Sequence, residues 1–231
     1  MISNRDFDFE KNKFWNREKC ANFILRDRDS YISSLTPEDL YARSFSDHRA
    51  YAEHAAHHHA ADFTPEEISI LLKSSQKVQS TIRPNLQELL VPCNLARITG
   101  TCYESGWPHT REKTIFVTDS FFDSPEETLA HEWTHVFQRS KPLLVSSIFS
   151  KLSMPEYIAV GSRSPAYRSN PDLDSFVYSN PRTNQLSGGY RYASDKPKNM
   201  SDVVNDRPYE HPFEHMAYAV QALLKKSQSR H

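Results

Sequence analysis

The sequence predicts an α+β fold on three observations. Apolar residues recur at helical spacing behind helix-start signatures, and two short β-prone runs lie between residues 95 and 118. A further helix then carries His131-Glu132-Trp133-Thr134-His135, an H-E-x-x-H box. With 231 residues the chain is long enough for one domain with a sizeable core.

Residues 1–62 read as a charged, aromatic, helical N-terminal segment. Thr36-Pro37-Glu38-Asp39 is a helix start, leading into residues 47–61 with His48, His54, His57, His58 and His59. His54 and His58 stand at i,i+4, but no acid sits between them at the box position, so solvated surface histidines are expected. Thr64-Pro65-Glu66-Glu67 combines a cap, a proline in the first turn and a capping-box glutamate. Ile68, Leu71, Leu72, Val78 and Ile82 then form an apolar helix face, with Pro84 ending or kinking the helix and a short helix over residues 85–90.

Residues 95–99 and 114–118 are the β-prone runs, separated by Gly100, Gly106 and Pro108. Trp107-Pro108-His109-Thr110 reads as a rim loop, with His109 a candidate for assisting a transition state. Ser124-Pro125-Glu126-Glu127 repeats the cap and capping-box pattern, and the helix should run from residue 125 to about 139, since Pro142 disfavours helix just before it. Leu129, Trp133 and Val136 form the stripe that anchors this helix in a core, and both box histidines lie to one side of it.

The box has a direct chemical reading. Residues four apart on a helix face the same way, so His131 and His135 can bind one metal ion, and Glu132, about 100° round the helix, can overhang an open coordination position. With 11 histidines in the chain, composition alone yields roughly 0.03 such boxes. A catalytic zinc needs a third protein ligand. Gln138 and Lys141 stand where the H-E-x-x-H-x-x-G-x-x-H pattern has glycine and histidine, so this ligand must come from elsewhere. A second helix starting near Pro212 offers Glu214 in its first turn, preferred over Glu210, His211 and His215 because its position inside the helix is fixed. Tyr209 and His211 are candidate substrate or transition-state contacts. The Ser-, Asn-, Pro- and Tyr-rich stretch 161–208 reads as a lid or binding loop, with turns at Asn170-Pro171-Asp172 and Asn180-Pro181 and a hairpin pairing 176–178 with 190–192 around Gly188-Gly189. Its tyrosines and Arg191 are candidate oxyanion or carboxylate contacts. Residues 63–224 form the main domain, and 225–231 a flexible tail.

The box followed at +3 by glutamine, with a later E-x-x-A helix, resembles the gluzincin branch of zinc metallopeptidases. The likeness spans about Thr110 to Gln221 in short blocks, and the N-E-x-x-S-D motif of thermolysin-like members is absent around Glu214. The resemblance implies a zincin-like fold: N-terminal helices, a small mixed sheet with an edge strand beside the box helix, and a C-terminal helix carrying the third ligand. It implies one Zn2+ per chain held by His131, His135 and Glu214. It also implies Glu132 as the base assisting attack of zinc-bound water on a peptide bond. Residues 115–118 would be the edge strand, with Ile115 and Val117 offering main-chain bonds to an extended substrate.

Net charge of −1 offers no case for nucleic-acid or membrane partners, and five glycines without a phosphate-loop pattern argue against a nucleotide site. Three unpatterned cysteines suggest reduced thiols. No apolar run reaches membrane-spanning length and no signal-peptide pattern opens the sequence, so a cytoplasmic setting is expected. The expectation is a zinc-dependent hydrolase acting on peptides or proteins. The alternatives are a non-catalytic zinc-binding protein of the pseudo-peptidase kind and an interaction module.

Overall fold

The computed structural model describes residues 14–204 and 211–228. Tyr209 and Glu210 therefore lie outside the described residues. Three N-terminal helices come first, α1 (Arg17–Arg26), α2 (Pro37–Ala42) and α3 (His48–His58), followed by strand β1 (Ala60–Ala61) and the long helix α4 (Pro65–Leu86). Strands β2 (Asn94–Ile98), β3 (His109–Arg111) and β4 (Thr114–Val117) precede the box helix α5 (Pro125–Ser140) and the short α6 (Val145–Lys151). Strands β5 (Ile158–Ser162), β6 (Phe176–Asn180) and β7 (Gln185–Ser187) lie in the insert that separates α6 from α7 (Pro212–Gln228), the helix that closes the described chain.

The local signatures explain several starts. Thr36 and Thr64 each accept a backbone N–H from a residue three ahead, whose carboxylate returns the bond to the cap backbone. Asp47 caps α3 through the Ala50 N–H. At α5 the expected box does not form. Ser124 makes no side-chain cap bond, and the Glu127 carboxylate, the other half of the box, is engaged by Gln221 (3.0 Å) and Lys225 (3.0 Å) of α7. Pro84 does not end α4, which runs on to Leu86 and then tightens into a 3-10 turn over Gln87–Leu89.

The first sheet has the order β1-β2-β4-β3, with β2 and β4 parallel and both outer pairs antiparallel. Phe14 adds a parallel bridge to Leu95 on the outer side of β2. Side chains alternate across this sheet. Leu95, Ile115 and Val117 enter the core shared with α4, α5 and α7, including Leu71, Val78, Trp133, Val136, Met216 and Val220. Ala96, Ile98 and Phe116 face a second core built on α1 to α3 with Cys20, Ile24, Leu40 and Tyr51. The N-terminal helices thus cover one face of the same sheet whose other face carries the box helix.

Three expectations are corrected here. Residues 115–118 are not an edge strand: β4 lies between β2 and β3, and the Ile115 and Val117 side chains are fully buried in the core. The edge strand is β3, which reads as loop in the sequence. The hairpin partner of β6 is β7, through a turn at 181–184, while Arg191 and Tyr192 form isolated bridges to Tyr167 and Val203. Helix α7 continues to Gln228, so the start of the expected tail is helical. No helix among the described residues is long and apolar enough to cross a membrane.

Candidate metal centre

Helices α5 and α7 pack side by side and bring three donors together. His131 Nε2 and His135 Nε2 are 3.1 Å apart, and Glu214 Oε2 lies 3.2 Å from the first and 3.8 Å from the second. Each imidazole is fixed by a glutamine. Gln138 Oε1 accepts from His135 Nδ1 at 2.8 Å, and its amide donates to the Phe213 carbonyl at 3.0 Å. Gln221 bonds His131 and donates its own amide to Glu127 at 3.0 Å. With its Nδ1 committed as a donor, His135 presents its Nε2 lone pair to the space beside Glu214, whereas Glu214 raises the His131 pKa against the effect of burial. Tyr218 packs edge-on against His131, with centroids 4.8 Å apart.

Glu132 points the other way round α5, toward β3. Thr110 Oγ1 donates to its Oε2 at 3.0 Å. The insert completes the site through the Asn170-Pro171-Asp172 turn. Asn170 Nδ2 donates to Glu214 Oε1 (3.1 Å), and Asp172 Oδ1 accepts the Thr110 backbone N–H (2.6 Å). That N–H belongs to the free side of the edge strand, so the group an added strand would use is already bonded to Asp172.

A cavity of about 400 Å³ opens over these groups, with His131, Glu132, Asp172 and Glu214 in its lining and Trp107, Arg168 and Tyr190 on its walls. Arg168 lies between the Trp107 and Tyr190 rings, 5.2 and 5.1 Å from their centroids. The electrostatics are unusual for a buried region. Burial pushes the Glu132 carboxyl up to about 7, against the pull of His131 and Thr110. Burial, then Glu132 and Glu214, push Asp172 well above the usual carboxylate range. Glu214 moves down despite its burial, because His131 and His135 stand beside it. Burial drives His135 down to about 3, so it is neutral, the form that can ligate a metal.

The structure brings His131, Glu132, His135 and Glu214 together, as the sequence suggests, and places His211 in the cavity lining. His211 also caps α7, accepting the Phe213 N–H at 3.2 Å, and pairs with Asp174. His215 is turned away and bonds Tyr157 (2.8 Å). His109 is not on the rim. Strand alternation sends it to the opposite face from Thr110, where it is buried, stacked on Phe116 at 4.8 Å and bonded to the Trp107 carbonyl. Asp172, Asn170, Thr110, Arg168 and the two glutamines are site residues that the sequence reading leaves without a role there. The Asn-Pro-Asp turn and the +3 glutamine are the signals that point to them.

Comparison with known proteins yields no family model, no curated protein and no solved structure that matches this chain.

Proposed function

We propose that the chain is a zinc-dependent hydrolase of peptide bonds, with one Zn2+ in the cleft held by His131, His135 and Glu214. The observation that carries this reading is the convergence of three donors beside a buried carboxyl in an open cavity. Donors about 2.0–2.1 Å from a tetrahedral ion stand about 3.3–3.4 Å apart, and the three pairs here span 3.1–3.8 Å. The donor set fits in charge as well. Three carboxyl groups, Glu132, Glu214 and Asp172, crowd two imidazoles, an arrangement that a divalent cation relieves. Zinc in such a site acts as a Lewis acid and lowers the pKa of water toward ~7.

Glu132 takes the proton from the attacking water and returns it to the departing amine, work suited to a carboxyl poised near neutrality. Thr110 fixes which carboxylate oxygen faces the cleft. Asp172 ties the edge strand to the insert, and Asn170 holds the Glu214 oxygen that does not face the histidines. The fold level of the resemblance, an α+β chain with a small mixed sheet, agrees with this reading, and β3 replaces β4 as the strand beside the cleft.

The test is a peptide-library digest beside elemental analysis. His131→Ala and Glu214→Ala should each lose one equivalent of zinc relative to the parent. Glu132→Gln should keep its zinc and lose cleavage by about 10²–10⁴-fold. Cleavage that survives in Glu132→Gln overturns the assigned base. Zinc in the cleft with no chelator-sensitive cleavage by the parent makes the chain a non-catalytic zinc protein.

A further inference from the structure

A second set of donors lies away from the cleft, where α3 ends against the first sheet. His54 is on α3, and His59 follows its last residue. Their Nε2 atoms are 3.3 Å apart, and Cys102 adds a sulfur, all three donor atoms lying within 4.8 Å of one another. His59 is held on its far side: its Nδ1 is 2.7 Å from the Thr99 carbonyl, so Nδ1 carries the proton and Nε2 offers its lone pair. The Thr99 N–H returns a bond to the His59 carbonyl at 2.9 Å, which ties the ring to the end of β2.

The loop that brings Cys102 here is shaped for the approach. Gly100 sits at φ +70°, and a Cβ on it would come within 3.1 Å of His59 Nδ1. Gly106 closes the loop at φ +71°, where a Cβ would lie 2.9 Å from the Gly100 oxygen. Cys20 and Cys93 are buried, whereas Cys102 is exposed beside two imidazoles. A hydrogen bond from His54 to His59 accounts for the imidazole pair alone. It gives no reason for the thiol to join them.

We propose that His54, His59 and Cys102 form a second metal site, taking a borderline-soft divalent cation of the zinc type with solvent in the fourth position. Two imidazoles and a thiolate are a zinc donor set, and the 3.3 Å between the nitrogens matches the roughly 3.3–3.4 Å of a tetrahedral ion. The ion would clip residues 100–106 to the end of α3. That loop runs directly into Trp107 and Pro108, which line the cleft.

The two sites share no residue, so they can be read separately. The full chain, loaded with zinc and freed of excess, should carry two equivalents. Cys102→Ser and His59→Ala should each carry one, and so should His131→Ala. Loaded with Co2+, the parent and His131→Ala should show a near-ultraviolet thiolate-to-metal absorption band, and Cys102→Ser should not. Only a cysteine ligand gives that band, and the cleft donors are two histidines and a glutamate. Equal zinc in the parent and Cys102→Ser, or a cobalt thiolate band that survives in Cys102→Ser, overturns the proposal. Position 102 is exposed, so this variant keeps its fold and decides the matter even if His59→Ala does not fold.

Discussion

Gln138 is the sharpest place to perturb the cleft without touching a proposed metal ligand. It is 1% exposed and makes two bonds: its oxygen holds His135 Nδ1, and its amide holds the Phe213 carbonyl at the start of α7. Leucine has a similar volume and neither bond. Gln138→Leu leaves two buried polar groups unpaired at about 1–3 kcal/mol each, so the metal-free protein should lose on the order of 3 kcal/mol. It also frees the His135 ring to turn and to change tautomer. Removing such an outer partner typically lowers metal affinity by about 10–100-fold, or about 1.4–2.7 kcal/mol. The assay is zinc competition against a chromophoric chelator, run in a Cys102→Ser background so that only the cleft is read. A urea melt of the metal-free protein accompanies it. Gln138→Glu separates the two roles, since a carboxylate can accept from His135 but cannot donate to Phe213. It should retain most of the zinc affinity and lose stability. If Gln138→Leu binds zinc within about twofold of its parent while its stability falls, the glutamine only joins two helices, and its role in orienting His135 for the metal is refuted.

Thr110→Val removes the hydroxyl on Glu132 at nearly constant volume. It should lower kcat about tenfold, the worth of one bond to a charged group at roughly 1.5 kcal/mol, with zinc content unchanged; unaltered kcat would refute the positioning role. Glu104 is buried against Arg43, whose side chain is 1% exposed, at 2.6 Å. Burial alone would raise its pKa, but the Arg43 guanidinium more than offsets this and holds it at about 2. A depressed carboxylate stabilises the fold above its unfolded pKa of about 4.3, and that contribution of about 3 kcal/mol is lost as pH falls from there toward 2. Urea midpoints of the wild type should drop through that window. Glu104→Gln should start lower by about 3 kcal/mol, with Arg43 left only its longer ion pair to Asp39 (3.5 Å), and lack that part of the drop; parallel pH profiles would count against the Glu104 ion pair.

What could be seen in the sequence was local. The caps at Thr36 and Thr64 and the box helix need only residues within a turn of one another, and they form as the patterns imply. Glu214 was legible because helical register fixes a first-turn residue relative to its neighbours. Ser124 misled: it makes no cap bond, and its partner Glu127 is engaged by α7, more than ninety residues on. Strand β3 was hidden for a similar reason. His109, Thr110 and Arg111 are a short polar run, yet all three are buried. Arg111 can be there only because Asp27, Asp29 and the Tyr103 hydroxyl meet its guanidinium from distant parts of the chain. Missing β3 made β4 look like the edge, and it put His109 on the rim when strand alternation turns it to the opposite face.

The cation proposed for the cleft would not have to build it. In small zinc modules the metal supplies the folding energy itself, because no core of comparable size exists. Here α5 and α7 are already joined by Leu129, Trp133 and Val136 against Met216, Val220 and Leu224, all buried. Gln138 and Gln221 add bonds between the two helices through the very side chains that orient the histidines. The donors are therefore set by helix packing before any ion arrives. What packing leaves unresolved is charge: three carboxyl groups in one buried region, one held down by imidazoles and two pushed up. Under the proposed zinc reading, a cation in this site would act on that imbalance rather than on the fold. In the proposed reaction Glu132 is the carboxyl left to exchange protons, because Glu214 is committed to the histidines and Asp172 to the Thr110 backbone.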